Sequence, residues 1–401
     1  MRSVDAARCE KPAEEPVQRH EGEGPRAAQA PAGSLQPSKR PPGQLPAGQA
    51  AGTSPGADLP PSDPVADVKA KVQALQQESL AVAKRLREDY PDNLDALGLL
   101  GKVRYGYGDT AQAIECWEQC LRRDPSRDDF YDALATVALQ RAEYEKAADC
   151  CRKGLEKNPQ APHLHGRLGE ALSRLGRLEE AVPELERETR ISPAYAQGQF
   201  LLGQAYSLLH EQQKAKACYE AAIKLQPKDR RYHYGLARAC ARLGLDEEAQ
   251  RHTDDFLKLD KADWQYMTSH RGPSYDLLYA QQTAAETCGD AAAVYRGRRN
   301  FAKAEELLTR AAALDPKRAD YRARLALIFL ETGREAKAAD LCKQLIELEP
   351  NNAANYFNLG VVYARTRQFD AAKRMAQRGL ELEPDNPRCK RLYEQMQGVP
   401  R

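Results

Sequence analysis

The chain predicts an all-α solenoid of stacked antiparallel helix pairs, and three observations carry that prediction. An alanine recurs every 34 residues at Ala113, Ala147, Ala181, Ala215 and Ala249, and again at Ala304, Ala338 and Ala372. A proline keeps the same spacing twelve residues later, at Pro125, Pro159, Pro193, Pro227, Pro316, Pro350 and Pro384, with Lys261 standing in the slot between. A third position is always small: Gly101, Ala135, Gly169, Gly203, Ala237, Ala292, Ala326 and Gly360. A fixed period of this length means one unit copied along the chain, each packing on its neighbours, and not a globule around a single centre.

Numbering each unit so that the alanine is position 20 and the proline position 32 starts the units at Leu94, Asp128, Pro162, Ala196, Arg230, Ala285, Ala319 and Ala353. Apolar residues at positions 4, 7, 8 and 11 share one face of a 3.6-period helix, and those at 20, 24 and 27 share another. Two helices per unit follow. Small residues at 8 and 20 let the axes approach, while large ones at 7, 11 and 24 fill the space beside them. Position 15 breaks the first helix, where Gly108, Gly176, Gly244 and Gly333 suit a left-handed cap in alternate units. The proline at 32 ends the second helix, because it pushes the residue before it out of the α region.

These residues resemble the tetratricopeptide repeat. The pattern is complete at Leu202, Gly203, Tyr206, Ala215, Tyr219, Ala222 and Pro227, and it extends over residues 94–386. The resemblance implies a right-handed superhelix whose concave surface is lined mainly by the first helices. Departures are local: position 4 is usually not Trp, Arg104 holds position 11 of unit one, and unit five lacks its proline.

The segments around the repeats are expected to divide as follows. Residues 1–62 form a Pro-, Gly- and Ala-rich leader without Phe, Tyr, Trp or Ile, a composition that stays disordered. Residues 63–93 hold a degenerate half unit whose helix, with Val68, Val72, Leu75, Leu80, Ala83 and Leu86 apolar, caps the N-terminal end. Units one to five span 94–263 and units six to eight 285–386. Residues 264–284 are additional to the period and extend the first helix of unit six backward from Gly272-Pro273. Residues 387–401 make a C-terminal capping helix and tail.

A search for chemistry returns little. The formal charge of +2 over 401 residues argues against a general nucleic-acid binder. Cys116, Cys120, Cys150, Cys151, Cys218, Cys240, Cys288 and Cys342 sit at packing positions, where free cysteine behaves as a small hydrophobe. Without disulfides they imply a reducing, cytoplasmic location. The Cys9 context would suit a lipid-anchored or exported chain only if the start lay upstream of Met1. His163 and His165, two apart on a helix, face different ways. No phosphate loop, nucleophile elbow or metal set is recognised, and Glu and Asp are placed on solvated faces. The expectation is no enzyme, no cofactor, no metal and no membrane span.

What remains is the groove. Positions 2, 5/6, 9 and 12/13 form one stripe along the first helices. Units one and two place Asp95, Asp129 and Asp132 there with Lys102, whereas units three to six place Arg167, Arg174, Arg231, Arg238, Arg242 and Arg296, with His163, Glu170 and Glu286. Phe200, Leu201 and Tyr234 interleave with the arginines, the composition of an interaction hot spot. The candidate partner site is therefore Arg167, Arg174, Phe200, Arg231, Tyr234, Arg238, Arg242 and Arg296, and the expected ligand is an acidic, partly apolar segment of another protein. The Lys–Asn carboxylate clamp of some family members is not assembled, since Lys102 and Asn358 each stand alone. The chain reads as a non-catalytic scaffold, or alternatively as the recognition subunit of an enzyme whose catalysis lies elsewhere.

Overall fold

The computed structural model describes residues 64–270 and 272–397, and the leader at 1–62, with Cys9, lies outside them. Among the described residues there are eighteen α-helices and no strand. Helix α1 (Pro64–Asp89) precedes unit one, made of α2 (Leu94–Gly106) and α3 (Thr110–Arg123). Unit two is α4 (Asp128–Gln140) with α5 (Tyr144–Lys157), and unit three is α6 (Leu164–Arg174) with α7 (Leu178–Ile191). Unit four is α8 (Ala196–Leu208) with α9 (Gln212–Leu225), and unit five is α10 (Arg230–Arg242) with α11 (Asp246–His270). Then follow α12 (Pro273–Gly297) with α13 (Phe301–Leu314), α14 (Ala319–Glu331) with α15 (Glu335–Leu348), and α16 (Ala353–Arg365) with α17 (Phe369–Leu382), before α18 (Pro387–Gln397). No helix among the described residues is long and apolar enough to cross a membrane.

The periodic residues behave as their chemistry requires. The residue before each repeat proline is extended, with φ between −125° at Ser192 and −139° at Asp124, so each second helix stops there. Unit five shows the reverse: with Lys261 in the proline slot, α11 runs on to His270. The close approach at position 8 is real, since a Cβ on Gly203 would lie 2.8 Å from the Tyr219 ring. The position-20 alanines are fully buried in seven units, and Ala249 of unit five, half-buried, is the exception.

Position 15 is left-handed in all eight units, not only where glycine stands. Ala142, His210, Arg299 and Arg367 hold it at φ of 57°, 61°, 60° and 59°, in register with Gly108, Gly176, Gly244 and Gly333. The turn needs that conformation whatever the side chain, and a Cβ pays for it. Arg367→Gly is therefore expected to stabilise the chain by about 0.5–1 kcal/mol, net of the added freedom of the unfolded state. A urea midpoint no higher than that of the parent chain would contradict this.

Chain order and stacking order differ. Helix α1 packs along α12 as well as against α2, and α12 also touches α2. That is the relation a unit's first helix has to its second helix and to the next unit. The half unit at the N-terminus thus obtains its missing first helix from 200 residues further on. Ala83 and Leu86 of α1 are fully buried in this seam. Tyr295 Oη donates to Asp89 at 2.6 Å, and its ring meets Tyr90 edge-on at 5.5 Å. Arg310 donates to both oxygens of Glu78 at 2.7 and 2.8 Å, and Lys102 pairs with Asp290 at 2.9 Å.

Two expectations are corrected here. Helix α1 is not a terminal cap, because α12 covers the face that a cap would turn to solvent. The additional residues do not all extend the next helix: 264–270 belong to α11, for want of a proline at 261, and only those from Pro273 onward lengthen α12. The apolar interior follows the new order. One body joins α1, unit one and units six to eight, with Phe130 and Val137 of unit two, and the other runs through units two to five. Leu121 packs against both.

Candidate functional site

Groove residues come from the first helices of units three to five, because positions 2, 5, 9 and 13 of α6, α8 and α10 point to one side. Arg174, Phe200, Arg231, Tyr234, Arg238 and Arg242 line a single open cavity of about 640 Å³, with Glu170, Gln197, Gln204, Leu208 and Phe256. Six of the eight expected residues are thus brought together. Arg167 is half-buried and donates to Asp132 at 3.0 Å, and Arg296 pairs with Glu331, so neither contributes a free charge.

The arginines within the cavity differ in what they hold. Arg231 grips Asp229 through three side-chain hydrogen bonds of 3.0, 3.2 and 2.7 Å, which keep its pKa above the ordinary value, and it lies 5.5 Å over the Phe200 ring. Arg238 lies 5.6 Å over Tyr234. Arg242 donates to the Ser207 carbonyl at 3.1 Å. Among the described residues Arg174, Arg238 and Arg242 have no carboxylate within ion-pair distance, and all three are exposed. The acidic residues of units one and two are, by contrast, already neutralised. Arg127 takes Asp95 at 2.9 Å and Asp129 at 2.8 Å, and Arg167 takes Asp132.

The apolar part is divided between exposed and buried rings. Tyr234 is half exposed and meets Phe256 at 5.4 Å between centroids. Phe200 is largely buried, packed against Tyr219 and Tyr232 at 6.0 and 5.1 Å, and offers the groove little surface. Phe256 escaped the sequence reading because it sits on a second helix, at position 27. There the next unit's first helix would ordinarily cover it. With α12 packed on α1, nothing in sequence follows onto α11, and the ring turns into the groove. An aromatic ring where the other units carry Cys120, Gly154, Glu188, Ala222, Ala311, Leu345 and Gly379 was the available signal.

Two histidines also depart from expectation. His163 is not on the helix but is the N-cap of α6, at φ 71°, with its ring 4.6 Å from Tyr195. The job its side chain does not do falls to Glu188, fully buried, which accepts from the backbone N–H of His163 at 3.2 Å and of Gly166 at 3.1 Å. Placing all Glu on solvated faces was therefore wrong for this one. His165 lies inside, its Nε2 donating to the Pro159 carbonyl at 3.0 Å and its Nδ1 2.6 Å from Glu184. Burial opposes a charge on that ring, but the two acceptors outweigh it and raise the pKa. The thiols are poor nucleophiles: burial pushes Cys120 and Cys288 up to about 12.

Comparison with known proteins identifies the repeat. Family models described as tetratricopeptide repeat match residues 290–353 and 329–396, and one described as the N-terminal TPR repeats region of Psidin matches 129–268. The chain is a tetratricopeptide-repeat protein. Similar solved structures include a crystal structure of MamA, at 22% identity and TM-score 0.38, covering 42% of this repeat protein and 98% of that chain. MamA from Desulfovibrio magneticus RS-1 aligns at 20% identity and TM-score 0.38, over 45% and 96%. The APC/C hetero-tetramer Cut9-Hcn1 aligns at 16% identity and TM-score 0.32, over 77% of this chain and 56% of that one. A search of curated proteins finds no match.

Proposed function

We propose that this repeat protein is a non-catalytic interaction scaffold that holds an acidic, partly apolar segment of another protein in the groove of units three to five. The observation that carries the reading is the set Arg174, Arg238 and Arg242, three arginines without carboxylate partners around one cavity whose walls include Tyr234, Leu208 and Phe256. Like charges so placed repel until a counter-charge arrives, so an anionic ligand gains a favourable electrostatic term. Screening over ~8 Å at physiological salt limits that term, and the exposed rings supply the apolar contact that charge cannot. A role as the recognition subunit of an enzyme complex would use the same groove.

The test is a library of short acidic peptides, with and without Leu and Phe, scored for binding to the full chain. Arg238→Glu combined with Arg242→Glu is expected to weaken the best acidic–apolar peptide by at least about tenfold, as loss of an interface hot spot does, with helicity unchanged. Full binding by that variant, together with loss on altering Asp129 and Asp132, would place the site in the N-terminal units instead.

A further inference from the structure

Units three and five share a device at position 4. In both, a buried histidine donates Nε2–H to the carbonyl of the preceding repeat proline: His165 to Pro159 and His233 to Pro227, each at 3.0 Å. A carbonyl can only accept, so the proton on Nε2 is assigned by the partner, and in the neutral ring Nδ1 carries a lone pair. In unit three that nitrogen meets the Glu184 carboxylate from position 23. In unit five position 23 is His252 and position 26 is Asp255. His233 Nδ1 lies 3.4 Å from His252 Nδ1, and Asp255 Oδ2 lies 3.9 Å from the first and 4.0 Å from the second. Two imidazole nitrogens and a carboxylate oxygen converge where unit three needs only one ion pair.

We propose that His233, His252 and Asp255 bind a zinc ion that ties α10 to α11. A point equidistant from the three donor atoms lies about 2.2 Å from each, within a few tenths of an ångström of the ~2.0–2.2 Å that zinc takes to imidazole and carboxylate. The Pro227 carbonyl is the outer partner that metal-binding histidines ordinarily have, fixing tautomer and ring plane. The other Asp255 oxygen is 3.5 Å from Lys258, which leaves Oδ2 turned to the rings. His233 is buried while Asp255 is partly exposed, so an ion enters from the Asp255 side. The location gives the ion a purpose: α11 ends its stack without a following first helix, and a cross-link offsets the packing that neighbour would have supplied.

The experiment titrates the chelator-treated full chain with Zn²⁺, and separately with Co²⁺ as a spectroscopic probe, against His252→Ala and Asp255→Asn, both partly exposed positions. The full chain is expected to bind one more zinc than either variant and to melt higher with zinc, while the variants keep metal-free helicity and lose that rise. The cobalt adduct should show ligand-field bands without thiolate charge transfer, separating this site from the cysteines. Equal stoichiometry in all three chains, or a full-chain cobalt spectrum dominated by thiolate charge transfer and unchanged in both variants, would overturn the proposal and leave the ring pair as an N–H···N hydrogen bond.

Discussion

Leu86→Asp is expected to unfold the middle of the stack and not merely the end of the chain. Leu86 is fully buried in α1, inside the apolar body that α1 shares with unit one and α12, where a carboxylate loses its hydration. An uncompensated buried charge costs about 3–5 kcal/mol. Because α1 supplies the seam that joins unit one to unit six, amide exchange should lose protection together in α1, α2, α12 and α13. Helices α5 to α10 draw on the other apolar body and should keep theirs. Exchange confined to α1, with α12 still protected, would show the helix to be a simple terminal cap.

Glu188→Ala is the second large effect expected. Glu188 fills the space that Gly166 and Gly198 leave open, since a Cβ on either glycine would lie 3.2 or 3.3 Å from its Cγ. Its carboxylate accepts from two backbone donors at the start of α6, a helix that has no side-chain cap of its own. Truncation to alanine empties that space and strands both N–H groups, at about 1–3 kcal/mol for each unsatisfied donor. Glu188→Gln keeps the volume and an acceptor and should lose much less. Equal urea midpoints for the alanine and glutamine variants would remove the capping role.

The repeat was legible in the sequence because its residues are steric necessities. Small side chains are required at 8 and 20, and a proline stops each second helix, so the helix pairs and their boundaries could be read without coordinates. The pairing of α1 with α12 was not legible. A half unit shows in sequence that a partner helix is missing, but nothing in a 34-residue period says which distant helix supplies it. Lys261 was visible as a missed beat, and its meaning, a second helix that runs on to His270, became clear only with the helix in view. For the site, the arginine stripe could be read and the pairing state could not. Arg167 and Arg296 look the same in sequence as Arg238 and Arg242, yet the first two meet Asp132 and Glu331 from neighbouring units. Glu188 was available to the repeat register, since position 27 elsewhere holds Cys120 and Ala222, but was set aside by residue type alone.

The seam between α1 and α12 also bears on synthesis. Ordinary solenoids are made of local contacts, so each unit can fold as it leaves the ribosome. Here Asp89 waits for Tyr295, 206 residues later. At about 5–20 residues per second, the apolar face of α1 stays uncovered for roughly 10–40 s, while units one to five are completed beside it. Closure of a contact that distant is slow and leaves the nascent chain open to association through that face. Chaperone demand during translation should therefore centre on the one face of α1, with Leu75, Ala83 and Leu86, that the finished protein covers.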